Sequence, residues 1–190
     1  RYRHSLQTLK EGDGVDNIIN HLQESGNQFV CHREYISKDK SQWVIFLSHI
    51  DLMLKTFDIE CQVIGLDATH NVTCRKNVFL FAIIGRCQSG AFPLSYFITT
   101  SKEESAIVLG LTMFRCQITQ VLQRYNLLGL EQVFEPDAFC IDMDAASNNA
   151  IRRIFPGSII VLCHYHFMVN IVNQVRNNKH EIPGNFVTTF

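Results

Sequence analysis

Residues 138–146 read Ala138-Phe139-Cys140-Ile141-Asp142-Met143-Asp144-Ala145-Ala146. Four apolar residues, too few for a helix, run straight into an acid, and an Ala/Asn-rich stretch follows until Pro156-Gly157 stops it. That pattern predicts a short buried strand over 138–141 and a helix over 145–155. Ser158 to Cys163 is again apolar and predicts a second strand, with a further helix from about Tyr165 to Asn178. The strand over 138–141, entered through a helical crossover, is expected to lie parallel to an earlier strand in a mixed sheet.

Upstream, Ile107, Leu111, Phe114, Ile118, Leu122 and Tyr125 repeat at helical spacing across 103–126, with Gly110 the one weak position. Before that helix stand three apolar runs, Cys61 to Leu66, Val78 to Cys87 and Ala91 to Thr99. The last two are separated by Gln88-Ser89-Gly90, which reads as a hairpin turn. Phe29 to Ile36 predicts a strand. Ser41 is a candidate cap for a helix carrying Trp43, Phe46, Leu47, Ile50, Leu54 and Phe57. Val15, Ile18, Ile19 and Leu22 suit one surface helix near the start of the chain. The order predicts an α/β fold: a mixed five-stranded, RNase H-like sheet flanked by helices, over 41–190, with a short helical and strand extension over 1–40.

The chain has 190 residues, 46% hydrophobic and 18% charged, inside the globular range. Its longest apolar runs fall short of the roughly 18–20 residues that cross a bilayer, so no membrane association is expected. Seven cysteines are an odd number set largely within apolar runs, which argues for reduced, core-filling thiols. A net charge of −1 names no partner. Its distribution says more: no acid lies between Asp144 and Glu181, while Arg152, Arg153, Arg176 and Lys179 are basic. That stretch is either a basic contact face or a solvated helix surface. Neither terminus looks like a natural boundary, and the chain is expected to be a piece of something longer.

Asp is disfavoured in strands, yet Val63-Ile64-Gly65-Leu66 runs into Asp67 and Phe139-Cys140-Ile141 into Asp142. Each alone reads equally as a turn or helix-capping residue. If their strands are neighbours, the two carboxylates meet at one sheet end and repel unless a cation lies between them. Hard Mg²⁺ or Mn²⁺ suits such ligands, and a pair of such ions supports in-line phosphoryl transfer. Asp144 shares the side of Asp142 if the strand continues and is a further candidate ligand.

These residues also resemble a known family, the catalytic domain of Mutator-like element (MULE) transposases in the DDE, RNase H-like superfamily. Leu66-Asp67-Ala68-Thr69-His70 is similar to its first aspartate motif. Ile141-Asp142 with Ala146, Ala150-Ile151 and Phe155-Pro156 is similar to the second, and Leu162-Cys163-His164-Tyr165-His166 to the Leu-Cys-x-x-His signature that follows. The resemblance covers roughly residues 40–175. It departs from the family at Ile141, where Thr or Ser is commoner, and the family's third acid, a Glu on a later helix, has no counterpart; Glu181 stands too near the signature.

The resemblance implies a DNA transposase core that cleaves strands and joins them by metal-dependent phosphoryl transfer, with Asp67 and Asp142 catalytic and a two-metal Mg²⁺ or Mn²⁺ site. It implies DNA as partner, at element ends and target, admits a homo-oligomer, and implies a nuclear location in a eukaryote; the modest net charge leads us to expect additional DNA-binding domains outside this chain. Cys163 and His166 are half of a zinc site, or a hydrogen-bonding pair near the active site, or a buried thiol with a capping imidazole. Arg75, Lys76, Arg152 and Arg153 are candidate DNA contacts or solvated charges. Two other functions stay open: a transposase-derived host protein that binds DNA or partners without cutting, and a generic RNase H-like nuclease.

Overall fold

The computed structural model describes residues 29–55, 63–69, 77–87, 90–142 and 144–177. The amphipathic stretch over 15–22, the turn residues 88–89, and His70, Arg75, Lys76, Lys179 and Glu181 lie outside them.

Seven strands form one mixed sheet: β1 (Phe29–Tyr35), β2 (Trp43–His49), β3 (Val63–Thr69), β4 (Phe79–Cys87), β5 (Gly90–Thr99), β6 (Ala138–Ile141) and β7 (Ile159–Leu162). Their spatial order is β1-β2-β5-β4-β3-β6-β7. Four helices accompany them among the described residues: α1 (Ile50–Leu54), α2 (Glu104–Arg124), α3 (Ala145–Ile154) and α4 (His164–Asn177). β6 lies parallel to β3, and β7 parallel to β6, as the crossover pattern requires.

The expected five strands are seven because residues 43–49 are a strand, and this strand joins the expected 29–36 strand to the sheet. The apolar spacing of 43–49 fits a helix, but Trp43-Val44-Ile45-Phe46 is β-branched or aromatic throughout, and such a run is ambiguous by period alone. As an interior strand between β1 and β5, it buries Val44 and Phe46 on one face and Ile45 on the other. Only one helical turn, α1, remains of the expected helix; His49 caps it, its Nδ1 accepting from the Asp51 amide.

The core lies between one sheet face and α2 with α3. Ile64, Leu66, Phe81, Ile83, Phe97 and Phe139 from the sheet meet Ile107, Leu111, Phe114 and Ile118 of α2, and Ile151 and Phe155 close it from α3. α2 is long and apolar enough to cross a membrane, but its apolar stripe is buried in this core. It ends where Asn126 takes a left-handed φ of 58°, with the Leu127 amide donating to the Leu122 carbonyl and the Asn126 amide to that of Gln123. This is a Schellman stop. Pro93 cannot donate to the ladder, and the β4–β5 register shifts beside it, between Ile83 and Ile84.

Gly110 has a packing reason. A Cβ there would stand 2.6 Å from a ring carbon of Phe97, which is fully buried and stacked on Phe81 with centroids 4.6 Å apart. The ring has no room to retreat. Gly110→Ala gains about 1 kcal/mol of helix propensity, but overpacking outweighs it, and the net expectation is a loss of about 1–2 kcal/mol. Urea unfolding checks this: the midpoint falls, and an unchanged or higher midpoint contradicts the close approach.

Candidate active site

The topology decides where the aspartates stand. β3 and β6 pair in parallel with Leu66 opposite Ile141, so Asp67 and Asp142 are each the next residue on adjacent strands. Neighbouring strands are about 4.8 Å apart. Asp67 is not the strand's last residue, because β3 continues to Thr69, held there by pairing with Leu80 of β4. Both aspartates are half-buried. By strand alternation Asp67 lies on the face opposite Leu66, the face that Cys140 takes on β6. Asp142 follows Cys140 by two positions, just past the end of β6.

Asp144 does something different. The chain leaves the extended conformation, and Asp144 becomes the N-cap of α3, its Oδ2 accepting from the Ser147 amide at 2.8 Å and the Ser147 hydroxyl at 2.6 Å. The carboxylate thus satisfies amide hydrogens that the first helical turn leaves without partners. It was Asp144, rather than Asp142, that capping chemistry claimed.

A small cavity of about 130 Å³ opens at this end of the sheet, lined by Leu66, Ala68, Phe81, Lys102, Asp142, Asp144 and Ser147. Asp67 is not among its lining residues. Lys102 was missed in the sequence because it sits in an unremarkable loop between β5 and α2. β5 runs parallel to β3, each being antiparallel to β4, so its C-terminal end comes to the same edge as Asp67. There the Lys102 ammonium stands 4.8 Å from the Phe79 ring centroid. Only the three-dimensional sheet order could have found it.

Cys163 follows β7 directly, and its amide donates to the Ile141 carbonyl at 2.6 Å, extending the ladder past the strand ends. Its thiol reaches Cys140, whose own thiol is pushed up first by burial and further by Cys163. His166 stands on the first turn of α4 with Nδ1 buried and without a hydrogen-bond partner among the described residues. Cys31, Cys116, Cys140 and Cys163 are free thiols. Arg152 and Arg153 are exposed on α3, and Arg152 Nε donates to Asn148 Oδ1 at 2.8 Å.

Among the described residues no three His, Cys, Asp or Glu side chains form a metal-holding group. Asp67 and Asp142 stand on adjacent strands at one end of the sheet, and Mg²⁺ commonly takes one or two protein carboxylates and completes its shell with water and substrate phosphate. Among the described residues Cys163 and His166 meet no further donors that would close a zinc site.

Comparison with known proteins gives one family: the model of the MULE transposase domain matches residues 63–170, more than half of the chain. The match begins at the first residue of β3 and ends inside α4, so it spans every strand and helix that carries the aspartates and the Cys-x-x-His. No curated protein and no solved structure matches. With both aspartate motifs on adjacent strands and the family model covering them, the chain belongs to the MULE transposase domain family.

Proposed function

We propose that this chain is the RNase H-like catalytic core of a DNA transposase, cutting and joining DNA strands by in-line phosphoryl transfer. The observation that carries this is the parallel register of β3 with β6, which sets Asp67 beside Asp142 within the family-matched region. The sub-order β5-β4-β3-β6-β7, three antiparallel strands followed by two parallel ones, is consistent with an RNase H-like sheet, with β1 and β2 added at the β5 edge.

In this reading Asp67 and Asp142 would hold Mg²⁺ or Mn²⁺, which when bound neutralises the carboxylates and supplies Lewis-acid stabilisation to the phosphate under attack. The protein's own part is positional. β3 and β6 fix the two carboxylates on a rigid sheet, and Asp144 anchors α3 so that the chain leaves β6 in one direction. Lys102 adds a positive charge to an edge that would otherwise repel a phosphodiester. Arg152 and Arg153 supply non-specific phosphate contacts. Further phosphate affinity comes from domains outside this chain, in keeping with its net charge of −1. A nuclear location in a eukaryotic cell follows from the need to reach DNA.

A second reading is favoured by one observation: Asp67 is not among the residues lining the cavity that Asp142 lines. A transposase-derived protein that binds DNA without cutting it would need no paired carboxylates. One assay separates the two readings. The intact protein is incubated with Mg²⁺ or Mn²⁺ and duplex DNA carrying the element's ends. Metal-dependent cleavage and strand transfer support the catalytic reading; binding without cleavage supports the other.

A further inference from the structure

The β1–β2 hairpin lies before the family-matched residues and carries a cluster that the proposed chemistry does not use. Tyr35 and Trp43 are register partners at its loop end. The Arg33 guanidinium stands 5.5 Å from the Tyr35 ring centroid and 6.0 Å from that of Trp43, and Arg33 Nη1 donates to Tyr35 Oη at 3.2 Å. From the loop, the Lys40 ammonium comes to 5.3 Å from the Tyr35 ring. Two cations and two aromatic rings thus cluster together, Arg33 within cation–π range of both rings and Lys40 within range of Tyr35.

The loop that delivers Lys40 is braced. Lys40 has a φ of 61°, its amide donates to the Ser37 carbonyl, and the Ile36 amide donates to the Gln42 carbonyl at 2.8 Å. Asp39 accepts from the Ser41 amide and hydroxyl. Hydrogen bonding from Ser37, then from Ser41, holds its carboxyl down to about 2, so it stays charged and locked in the turn. Tyr35 remains 41% exposed despite these contacts. A ring within cation–π reach of Arg33 and Lys40 and still open to solvent can serve as a stacking platform.

Its position relative to the aspartates follows from register. Asp67 pairs with Ala82, Ala82 with Tyr96, Tyr96 with Leu47 and Leu47 with Cys31, which makes one row across the sheet. Tyr35 is four residues beyond Cys31 and so lies on the same face, displaced toward the end of the sheet where β3 stops. Three strand spacings separate β2 from β3, and with four residues of rise the two sites are on the order of 20 Å apart. That is about six nucleotide steps of 3.4 Å.

We propose that this hairpin face is a second DNA-binding site, at which Tyr35 and Trp43 stack bases of a single strand and Arg33 and Lys40 contact its phosphates. It rests on the reading of DNA as the partner and extends it to a remote anchor for a strand leaving the acidic edge. Base–aromatic stacking of this kind tolerates any sequence, as a strand-handling site requires.

Trp43 is the only tryptophan, so its emission reports the site directly. The chain is titrated with oligodeoxythymidylate in EDTA, where no divalent metal contributes. Quenching of Trp43 that weakens with salt is expected. Tyr35→Ala should reduce affinity by roughly five- to a hundredfold, with thermal unfolding unchanged and affinity restored in Tyr35→Phe. No quenching, quenching indifferent to Tyr35→Ala, or stronger binding of a blunt duplex than of the single strand would overturn the proposal. The same titration on Asp67→Asn/Asp142→Asn keeps the two readings apart. Quenching there shows that the hairpin binds regardless of the metal site, and lost quenching in a wild-type chain that still binds Mn²⁺ sinks the hairpin alone.

Discussion

Asp142→Asn in the intact protein is expected to lower metal-dependent strand cleavage by roughly a thousandfold or more, about 4 kcal/mol of transition-state stabilisation, while leaving the fold in place. The substitution keeps the size of the side chain and removes only its charge. Asp142 lies past the last paired residue of β6, so no ladder bond depends on its carboxylate. Asp67→Asn should do the same, since neither carboxylate alone offsets the charge of a shared cation. Asp144→Asn supplies the contrast. Asn is as good an N-cap as Asp, so it should preserve α3 and most of the activity. A gel assay of nicked and joined products measures all three. Activity that survives Asp67→Asn or Asp142→Asn removes these residues from the reaction.

The second large effect concerns stability. Phe139 is fully buried, its ring centroid 5.0 Å from that of Phe155, at the point where β6 meets α3. Phe155 in turn packs 6.4 Å from Phe114 of α2. Removing the Phe139 ring leaves a cavity in a layer fixed from three sides, and Phe139→Ala should cost about 3–5 kcal/mol. Because Phe139 sits three residues before Asp142, the loss should also loosen the acidic edge. Chemical denaturation measures the first effect. A loss below about 1 kcal/mol would mean that β6 is not wedged between the sheet and α3 as described.

The second half of the fold was readable from sequence because local signals and tertiary demands agree there. Residues 138–141 are too short for a helix, Pro156 stops α3, and the six-position stripe of α2 has only one period that fits. β2 was misread because apolar residues occupy both of its faces, Ile45 as well as Val44 and Phe46, so the alternation that identifies strands is absent. The site divided in the same way. Asp67 and Asp142 stood out as acids ending apolar runs, which is a local signal. The capping role of Asp144 depends on where β6 stops, and Lys102 reaches the edge only through the order of β3, β4 and β5. Neither is written in the spacing of nearby residues. The Tyr35–Arg33–Trp43 cluster likewise needs a hairpin register that the expected helix over 41–57 would have ruled out.

The central claim is that Asp67 and Asp142 act on one cation. Mn²⁺ binding, followed by the loss of the free-ion electron paramagnetic resonance signal, tests it without any DNA. The account predicts that the wild-type chain binds Mn²⁺, that Asp67→Asn and Asp142→Asn each weaken binding at least roughly tenfold, and that the double substitution weakens it little further, because the two carboxylates form one coupled unit. Wild-type affinity in Asp67→Asn, or losses that simply add, would contradict it.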